Sequence, residues 1–290
     1  MQTQVIYSAD SITVHKLSDR VYFRKAEWEQ TNQCNGGFIV LNDALALVDA
    51  PSEAAVMQIL DEAGRLFPGK PVRYVFLTHG HWDHADGLDE LIRAGVGAAM
   101  SRQAYDRFVS EGRLLPDDCL IVDGTAGAVI GGVRFEFFCL DGRLHSGEDM
   151  YIKVVDENYI FTGDTVGDFQ YLYFASSDLN RWNEALGELA AMGAGLLLCG
   201  HGIYRENGFI REQKAYLSKL AEAAEDVRRR AGGSLAGAGG DALEALIGEA
   251  ANGAAKSAAN NAANGAANGA AAVDRELFTR HLKELLERER

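Results

Sequence analysis

The feature that most constrains this chain is a run of three histidines and an aspartate within six residues, HGHWDH at 79–84. It directly follows the buried-strand pattern VRYVFLT, and packing gives no reason to concentrate imidazoles beside a carboxylate there. In an extended loop, residues two apart project to the same side. We therefore expect His79, His81 and Asp83 to converge, while His84 faces a neighbouring point. Imidazole and carboxylate are zinc-type ligands, so the run predicts two adjacent metal ions.

Further ligands are expected at other strand ends, where an isolated His or Asp stands beside turn residues. The segment LDGRLHSGED places His145 in a polar loop, and YIFTGDT places Asp164 just past a strand. The segment LLLCGHG places His201 at the end of a buried strand, between two glycines. Glycine allows close backbone approach and positive φ. The set takes in five of the seven histidines and leaves only His15 and His281 outside it.

The rest of the chain up to residue 205 alternates short strands and helices. The segments ITVHKL, RVYFR, GFIVLN and ALALVDA predict an antiparallel meander. Apolar spacing from Ser52 to Phe67 predicts a helix that Ser52 opens, and Asp86 is expected to open a shorter one. A second set of strands is predicted at VRFEFFCL, MYIKVV, YIFTG and GLLLCG. A helix near 179–192 is expected before the last of these strands, and another near 207–230 after it. Two strand-rich halves predict an α/β fold of two face-to-face sheets with helices outside.

Composition narrows the choice of partners. The formal charge is −14, from 42 acidic and 28 basic residues, and such a field opposes non-specific binding to nucleic acid. We expect no membrane span, because no apolar run approaches about 18 residues. The first residues show neither a basic opening nor an apolar core, so a cytoplasmic location is expected. The four cysteines show no C-x-x-C spacing, and Cys139 and Cys199, which lie in apolar runs, are expected to be free buried thiols.

The six-residue motif and its three followers resemble the metallo-β-lactamase superfamily over about residues 10–205. The resemblance implies a four-layer αββα sandwich, the metallo-β-lactamase fold, here with a helical C-terminal extension. It implies that His79, His81 and His145 hold one metal, that Asp83, His84 and His201 hold the other, and that Asp164 bridges them. It also implies a supporting acid at Asp49.

Three segments follow from this resemblance and from composition. Residues 1–230 are expected to form a metallo-β-lactamase-like catalytic domain. Residues 231–272 are a spacer rich in Gly, Ala and Asn, either loosely helical or disordered. Residues 273–290 form an amphipathic helix, which either docks on the body or binds a partner, for example a second copy of the chain. Its apolar side carries Leu277, Phe278, Leu282, Leu285 and Leu286.

Within the superfamily, the sequence departs from several known patterns. True β-lactamases of this fold generally lack the bridging aspartate, which is present here as Asp164. The segment FTGDT resembles glyoxalase II, but the G-C-G-R stretch of that family does not follow it. Acyl-homoserine lactonases share the ligand order, yet they usually carry a tyrosine where this chain has Gly167. Persulfide dioxygenases keep the same motif with a single iron.

The resulting hypothesis is a binuclear hydrolase that cleaves an ester, lactone or thioester of a small molecule with a metal-bridging hydroxide. Zinc is the expected divalent metal, with manganese and iron as alternatives, and Asp83 is the expected catalytic residue. An iron-dependent persulfide dioxygenase-like oxidoreductase is the alternative, and a β-lactamase or a non-catalytic binding protein ranks lower. The leaving-group proton comes from Tyr171, Tyr173 or water. The aromatic residues Phe169, Tyr171, Tyr173 and Phe174 either line the substrate pocket or pack as an ordinary segment.

Overall fold

The computed structural model describes residues 3–175, 177–232, 235, 240–263 and 274–286. The chain forms two compact units, each built from more than one segment. The first unit comprises Met1–Asp141, Ser146–Tyr171 and Ala194–Glu206. The second comprises Gly142–His145, Leu172–Gly193 and Asn207–Arg290. All the strands in the described part of the chain belong to the first unit.

The larger sheet of the first unit has eight strands that neighbour one another in chain order. Neighbours from the first to the fifth strand are antiparallel, which confirms the predicted meander, and neighbours from the fifth to the eighth are parallel. Because the sixth strand is one of the parallel strands, the histidine motif leaves the sheet at a carboxyl end, where α/β proteins commonly place their sites. The strands are β1 (Gln4–Ala9), β2 (Ile12–Lys16), β3 (Val21–Ala26), β4 (Gly36–Val40), β5 (Leu45–Val48), β6 (Val72–Phe76), β7 (Gly97–Ser101) and β8 (Cys119–Val122).

The smaller sheet has five strands in the order β13-β12-β11-β10-β9. Only β12 and β13 pair in parallel, so their carboxyl ends lie side by side. Asp164 directly follows β12, and His201 follows β13 after one glycine. The strands are β9 (Thr125–Ile130), β10 (Val133–Cys139), β11 (Met150–Val154), β12 (Tyr159–Gly163) and β13 (Leu196–Cys199).

The two sheets share one apolar core. Phe76 of β6 makes edge-to-face contacts with Phe135 and Phe137 of β10, with ring centroids 5.1 and 5.4 Å apart. A second apolar cluster joins the other face of the larger sheet to helices. The longest of these begins as predicted, with the Ser52 hydroxyl accepting a hydrogen bond from Ala55 N. The helices of this unit are α1 (Trp28–Thr31), α2 (Glu53–Leu66), α3 (Trp82–Ala85), α4 (Leu88–Arg93) and α5 (Arg102–Ser110).

The second unit is helical, with α6 (Leu179–Ala191), α7 (Phe209–Arg230), α8 (Gly240–Ala263) and α9 (Arg275–Leu286). Helix α7 packs against each of the other three. The predicted apolar side of α9 is covered here, since Phe278, Leu282 and Leu286 are buried. Helix α8 falls inside the predicted spacer and buries Leu243 and Ile247. Residues 233, 234, 236–239 and 264–272 of that spacer lie outside the described residues.

The prediction that Asp86 opens a helix is wrong. One helical turn, α3, already begins at Trp82, and Asp86 closes it by donating its backbone N–H to the Trp82 carbonyl at 3.1 Å. The following helix, α4, begins at Leu88. Within the described ranges, none of the helices is both long and apolar enough to cross a membrane.

Candidate metal centre

The first two histidines of the motif converge as predicted. His79 is buried, and its Nδ1 lies 3.1 Å from the Thr78 hydroxyl. Its Nε2 lies 3.1 Å from Nδ1 of His81. Zinc–nitrogen bonds measure about 2.0–2.1 Å, so two nitrogens at this separation can share one ion.

Asp83 does not follow the extended geometry from which its position was predicted. It lies with His84 on α3, where each residue is rotated by about 100° from the last, so the alternation of a strand no longer applies. The Asp83 carboxylate is 3.1 Å from Nε2 of His201. The structure groups Asp83 with His84, Asp164 and His201, all four buried and with their ligand atoms within 4.8 Å of one another.

The donor set of this group fits a divalent ion. The two oxygens of Asp164 lie 3.2 Å from His84 Nε2 and 3.4 Å from His201 Nε2. His84 Nε2 is fully buried, yet the described residues give it no hydrogen bond of acceptable geometry. Asp164 lies within ion-pair distance of this nitrogen but makes no well-directed hydrogen bond to it, and a polar group buried without one costs about 1–3 kcal/mol. An ion held by two imidazoles and two carboxylates would satisfy it, and zinc-type metals prefer these ligands.

Asp49 orients His84 from behind. Its Oδ2 lies 2.9 Å from His84 Nδ1, and its Oδ1 accepts the backbone N–H of Thr78 at 2.8 Å. Asp49 has a φ of 63°, a strained value for a residue with a side chain, and its N–H donates to the Phe76 carbonyl at 2.9 Å. With Nδ1–H donated to Asp49, Nε2 of His84 is left as the metal-binding nitrogen. This is the supporting role that the resemblance implied.

The imidazoles and carboxylates of this group lie within ion-pair distance of one another. Burial lowers the pKa of His201, but Asp164 and Asp83 outweigh burial and raise it to about 9. Burial also lowers the pKa of His84, yet Cys34 and the surrounding carboxylates raise it well above its usual value. For Asp83, burial is outweighed by the two imidazoles, which lower its pKa. An ion that binds here must therefore displace imidazole protons.

The glycines on either side of His201 have the two uses that the sequence suggested. A Cβ on Gly200 would overlap Asp164 Oδ1 and would lie 2.8 Å from Cε1 of His84. Gly202 has a φ of +77°, which a side chain would strain. The crowded approach of this loop therefore requires both residues to lack a side chain.

Asn35, which the sequence analysis missed, ties the same loop to the larger sheet. Its Nδ2 donates to the carbonyls of Cys199 and Gly202, each at 3.0 Å. Its backbone N–H donates to the Gly200 carbonyl at 2.7 Å, and its Oδ1 accepts from Ala26 N at 2.9 Å. One buried amide thus fixes the backbone on both sides of His201.

Arg107 on α5 performs a similar task for the loop between His79 and His81. Its Nη2 donates to the carbonyl of Gly80, and the same nitrogen lies 3.1 Å from Glu148 Oε2. A Cβ on Gly80 would collide with both side chains. The guanidinium therefore clamps the histidine loop against Glu148.

His145 is buried at the end of the Gly142–His145 segment, which belongs to the second unit. The next residue in the chain, Ser146, donates hydrogen bonds to the Asp149 carboxylate from its backbone N–H at 2.9 Å and from its hydroxyl at 2.8 Å. The residue after Asp149, Met150, donates its backbone N–H to Thr78 at 2.7 Å. The role of His145 as a ligand stays a prediction.

Comparison with known families agrees with this geometry. A model described as the metallo-beta-lactamase superfamily matches residues 30–201, more than half of the chain. The chain belongs to the metallo-β-lactamase superfamily. The matched segment contains all seven proposed ligands and ends at His201.

Curated relatives include two proteins that are each described as "Lactamase-like protein nscB". The protein from Arthroderma otae is 30% identical over 129 residues, which are 44% of this chain and 34% of that protein. The protein from Trichophyton rubrum is 28% identical over 137 residues, 46% of this chain and 38% of that protein. The chain thus spans little more than a third of the length of these two relatives.

Solved structures show the same fold. A metallo-beta-lactamase from Pontibacter korlensis superimposes with a TM-score of 0.59 at 18% identity, covering 75% of this chain and 99% of that one. A metallo beta lactamase from Erythrobacter litoralis, with beta mercaptoethanol in its active site, superimposes with a TM-score of 0.62 at 18% identity. This match covers 74% of this chain and 99% of that one. The predicted metallo-β-lactamase fold with a C-terminal helical region is confirmed.

Proposed function

We propose that this member of the superfamily is a binuclear metal-dependent hydrolase that cleaves an ester, a lactone or a thioester. The observation that carries the proposal is the buried group around Asp164, whose two oxygens face two imidazoles beside a second carboxylate. Such a group has no packing role that apolar side chains would not serve better, because buried charges are costly unless they are paired or bind metal.

The ligands divide as the superfamily resemblance implies. His79, His81 and His145 hold one ion, and Asp83, His84 and His201 hold the other, with Asp164 between them. The 3.1 Å separation of the His79 and His81 nitrogens supports the first set. The burial of His145, next to a turn closed by Asp149, supports its inclusion. Zinc is the proposed metal, with manganese and iron as alternatives.

Bound divalent ions supply a Lewis acid and lower the pKa of water from 15.7 to about 7. Asp83 is the proposed catalytic residue, because its carboxylate lies in the buried group beside His201, where it would help to hold the second ion and orient the attacking water as a hydrogen-bond acceptor. Tyr171 is a poor proton donor, since its hydroxyl already donates to Glu29 at 2.7 Å and its pKa is raised to about 12 by burial and by that carboxylate. Tyr173 or water is therefore the proposed source of the leaving-group proton.

Metal stoichiometry tests the site directly. The full chain, loaded with zinc and dialysed, should hold close to two ions in elemental analysis. His84→Ala and His201→Ala should each leave about one ion, and Asp164→Ala should weaken both. His15→Ala is the matched control, because His15 lies on β2 and bonds to Thr13 outside the group. A single ion in the parent chain after loading with excess zinc would contradict the binuclear proposal.

Two further expectations stay predictions. The cytoplasmic location rests on the sequence alone. Homo-oligomerisation through α9 would have to use residues other than Phe278, Leu282 and Leu286, which are buried in the second unit.

A further inference from the structure

Three large aromatic side chains adjoin the candidate metal centre, and the ligand assignment uses none of them. They are Trp28 on α1, Trp82 on α3 and Tyr171, which ends a short 3₁₀ turn at Phe169–Tyr171. We call these three residues the aromatic platform. The sequence analysis considered only Tyr171 for such a role.

The platform is in contact with a proposed ligand. The ring of Trp28 meets His201 nearly at right angles with centroids 4.7 Å apart, and Tyr171 lies 5.7 Å from the same imidazole. Trp82 lies 5.8 Å from Trp28. Trp28 and Tyr171 therefore adjoin His201 directly, and Trp82 adjoins Trp28.

Trp28 and Tyr171 are partly buried, and Trp82 is exposed. Helix α1 fixes Trp28, whose carbonyl accepts the backbone N–H of Asn32 at 2.9 Å. The hydrogen bond from Tyr171 to Glu29 ties the third ring to the same helix. Trp82 remains 49% exposed, although its neighbours His81 and Asp83 are committed to the site. A tryptophan left half open beside a reaction centre has apolar surface available for a ligand.

We propose that the aromatic platform binds the acyl group of the substrate, and that this acyl group is flat, uncharged and aromatic. Trp28 and Trp82 are in contact with each other, so they form a wall and not a cage for a cation. Offset or edge-to-face stacking favours a flat ring over an aliphatic group of equal size. This inference deepens the proposed hydrolase function and rests on it.

Binding of an unreactive ketone pair tests the platform without turnover. The probes are 2-acetonaphthone, which is flat, and its fully saturated decahydronaphthyl analogue, which is not. With zinc-loaded full chain, we expect titration calorimetry to give threefold to tenfold tighter binding of the flat ketone, about what one or two ring contacts supply. Trp82→Leu should abolish that preference while leaving the affinity for the saturated ketone within about twofold.

Matched variants and a kinetic arm separate the two proposals. Tyr105→Leu removes a partly exposed aromatic residue of α5 that lies beside Arg102 and has no part in the platform, and it should keep the preference. Naphthoyl thioesters should likewise exceed decahydronaphthoyl thioesters in kcat/KM. Hydrolysis of both thioesters with equal kcat/KM, or equal affinity for the two ketones, would overturn the platform. Ketone discrimination without any hydrolysis would leave the platform standing and remove the hydrolase.

Discussion

Asp49 Oδ2 and His84 Nδ1 lie 2.9 Å apart, and both residues are buried at the candidate metal centre. This contact sets the tautomer of His84 and so determines which nitrogen faces Asp164. Asp49→Asn keeps the shape of the side chain but replaces an acceptor with an amide. We expect the affinity of the second metal to fall by about 10–100-fold.

The measurement is a zinc titration of the variant against a chromophoric chelator. The control is Asp43→Asn, a surface aspartate in the same region of sequence. An equal loss of affinity for both ions, or no loss for either, would contradict the conclusion that Asp49 acts by orienting His84.

Replacing Arg107 should affect the other ion: it should lower the affinity for the first ion, whereas Asp49→Asn lowers the affinity for the second. Because its guanidinium holds the Gly80 carbonyl between His79 and His81, Arg107→Ala should weaken the first ion and largely spare the second. Arg102→Ala provides the control on the same helix, since Arg102 pairs only with exposed Asp106 at 3.7 Å among its described ion pairs. The comparison uses the same chelator titration, and preferential loss of the second ion would refute the clamp.

Gly200→Ala should disable the centre without unfolding the protein. The added methyl group would occupy the position of Asp164 Oδ1, so that carboxylate or the loop must move. We expect at least a tenfold loss of kcat/KM and weaker binding of the second ion, in line with the sensitivity of catalysis to small displacements. Gly64→Ala adds the same methyl group on α2, where nothing lies within 4 Å, and should leave both properties unchanged.

His281 on α9 should make the second unit sensitive to acid. Burial and the charge of Arg280 lower its pKa to about 3, and its Nδ1 lies 2.6 Å from the Tyr216 hydroxyl. Below its unfolded pKa of about 6.5, the unfolded chain binds a proton that the folded chain does not. The free energy of unfolding should therefore fall as the pH drops from 6.5, by up to about 1.4 kcal/mol per pH unit.

Chemical unfolding with EDTA present, between pH 7 and pH 4, measures this slope. His281→Gln should flatten it, because the glutamine does not titrate, whatever its effect on stability at pH 7. Parallel slopes for the parent chain and the variant would show that His281 does not control the acid response.

The strands and ligand residues that could be predicted are those with strong local patterns. The apolar runs LALV and YIFTG are strong local signals for strands, and they predict β5 and β12 without knowledge of their neighbours. The start of α2 is also local, because the Ser52 hydroxyl itself caps that helix. By contrast, β7 reads GAAMS and β9 reads TAGAVI, and small residues of this kind have low strand propensity. Pairing with neighbouring strands makes them strands, and this tertiary effect leaves no local signal.

The candidate site likewise combines residues that have a local sequence signal with residues whose roles depend on tertiary contacts. Its ligands are rare residue types beside glycines, so the sequence indicates them one by one. The position of Asp83 was predicted from an extended loop, but the helical turn at Trp82 gives it different neighbours. Asn35 and Arg107 act through backbone carbonyls distant in sequence, at Cys199 and Gly80, and no spacing rule reveals such contacts.

The choice between a hydrolase and an iron oxidase is decided by activity with a redox-inert metal. Zinc-loaded full chain should cleave activated esters, lactones or thioesters in an oxygen electrode chamber without consuming oxygen, since a Lewis acid and water suffice. Asp83→Asn should lower kcat by about a hundredfold, equivalent to about 2.7 kcal/mol of transition-state stabilisation. Activity that requires iron, tracks oxygen uptake and disappears with zinc would contradict the hydrolase and favour persulfide oxidation.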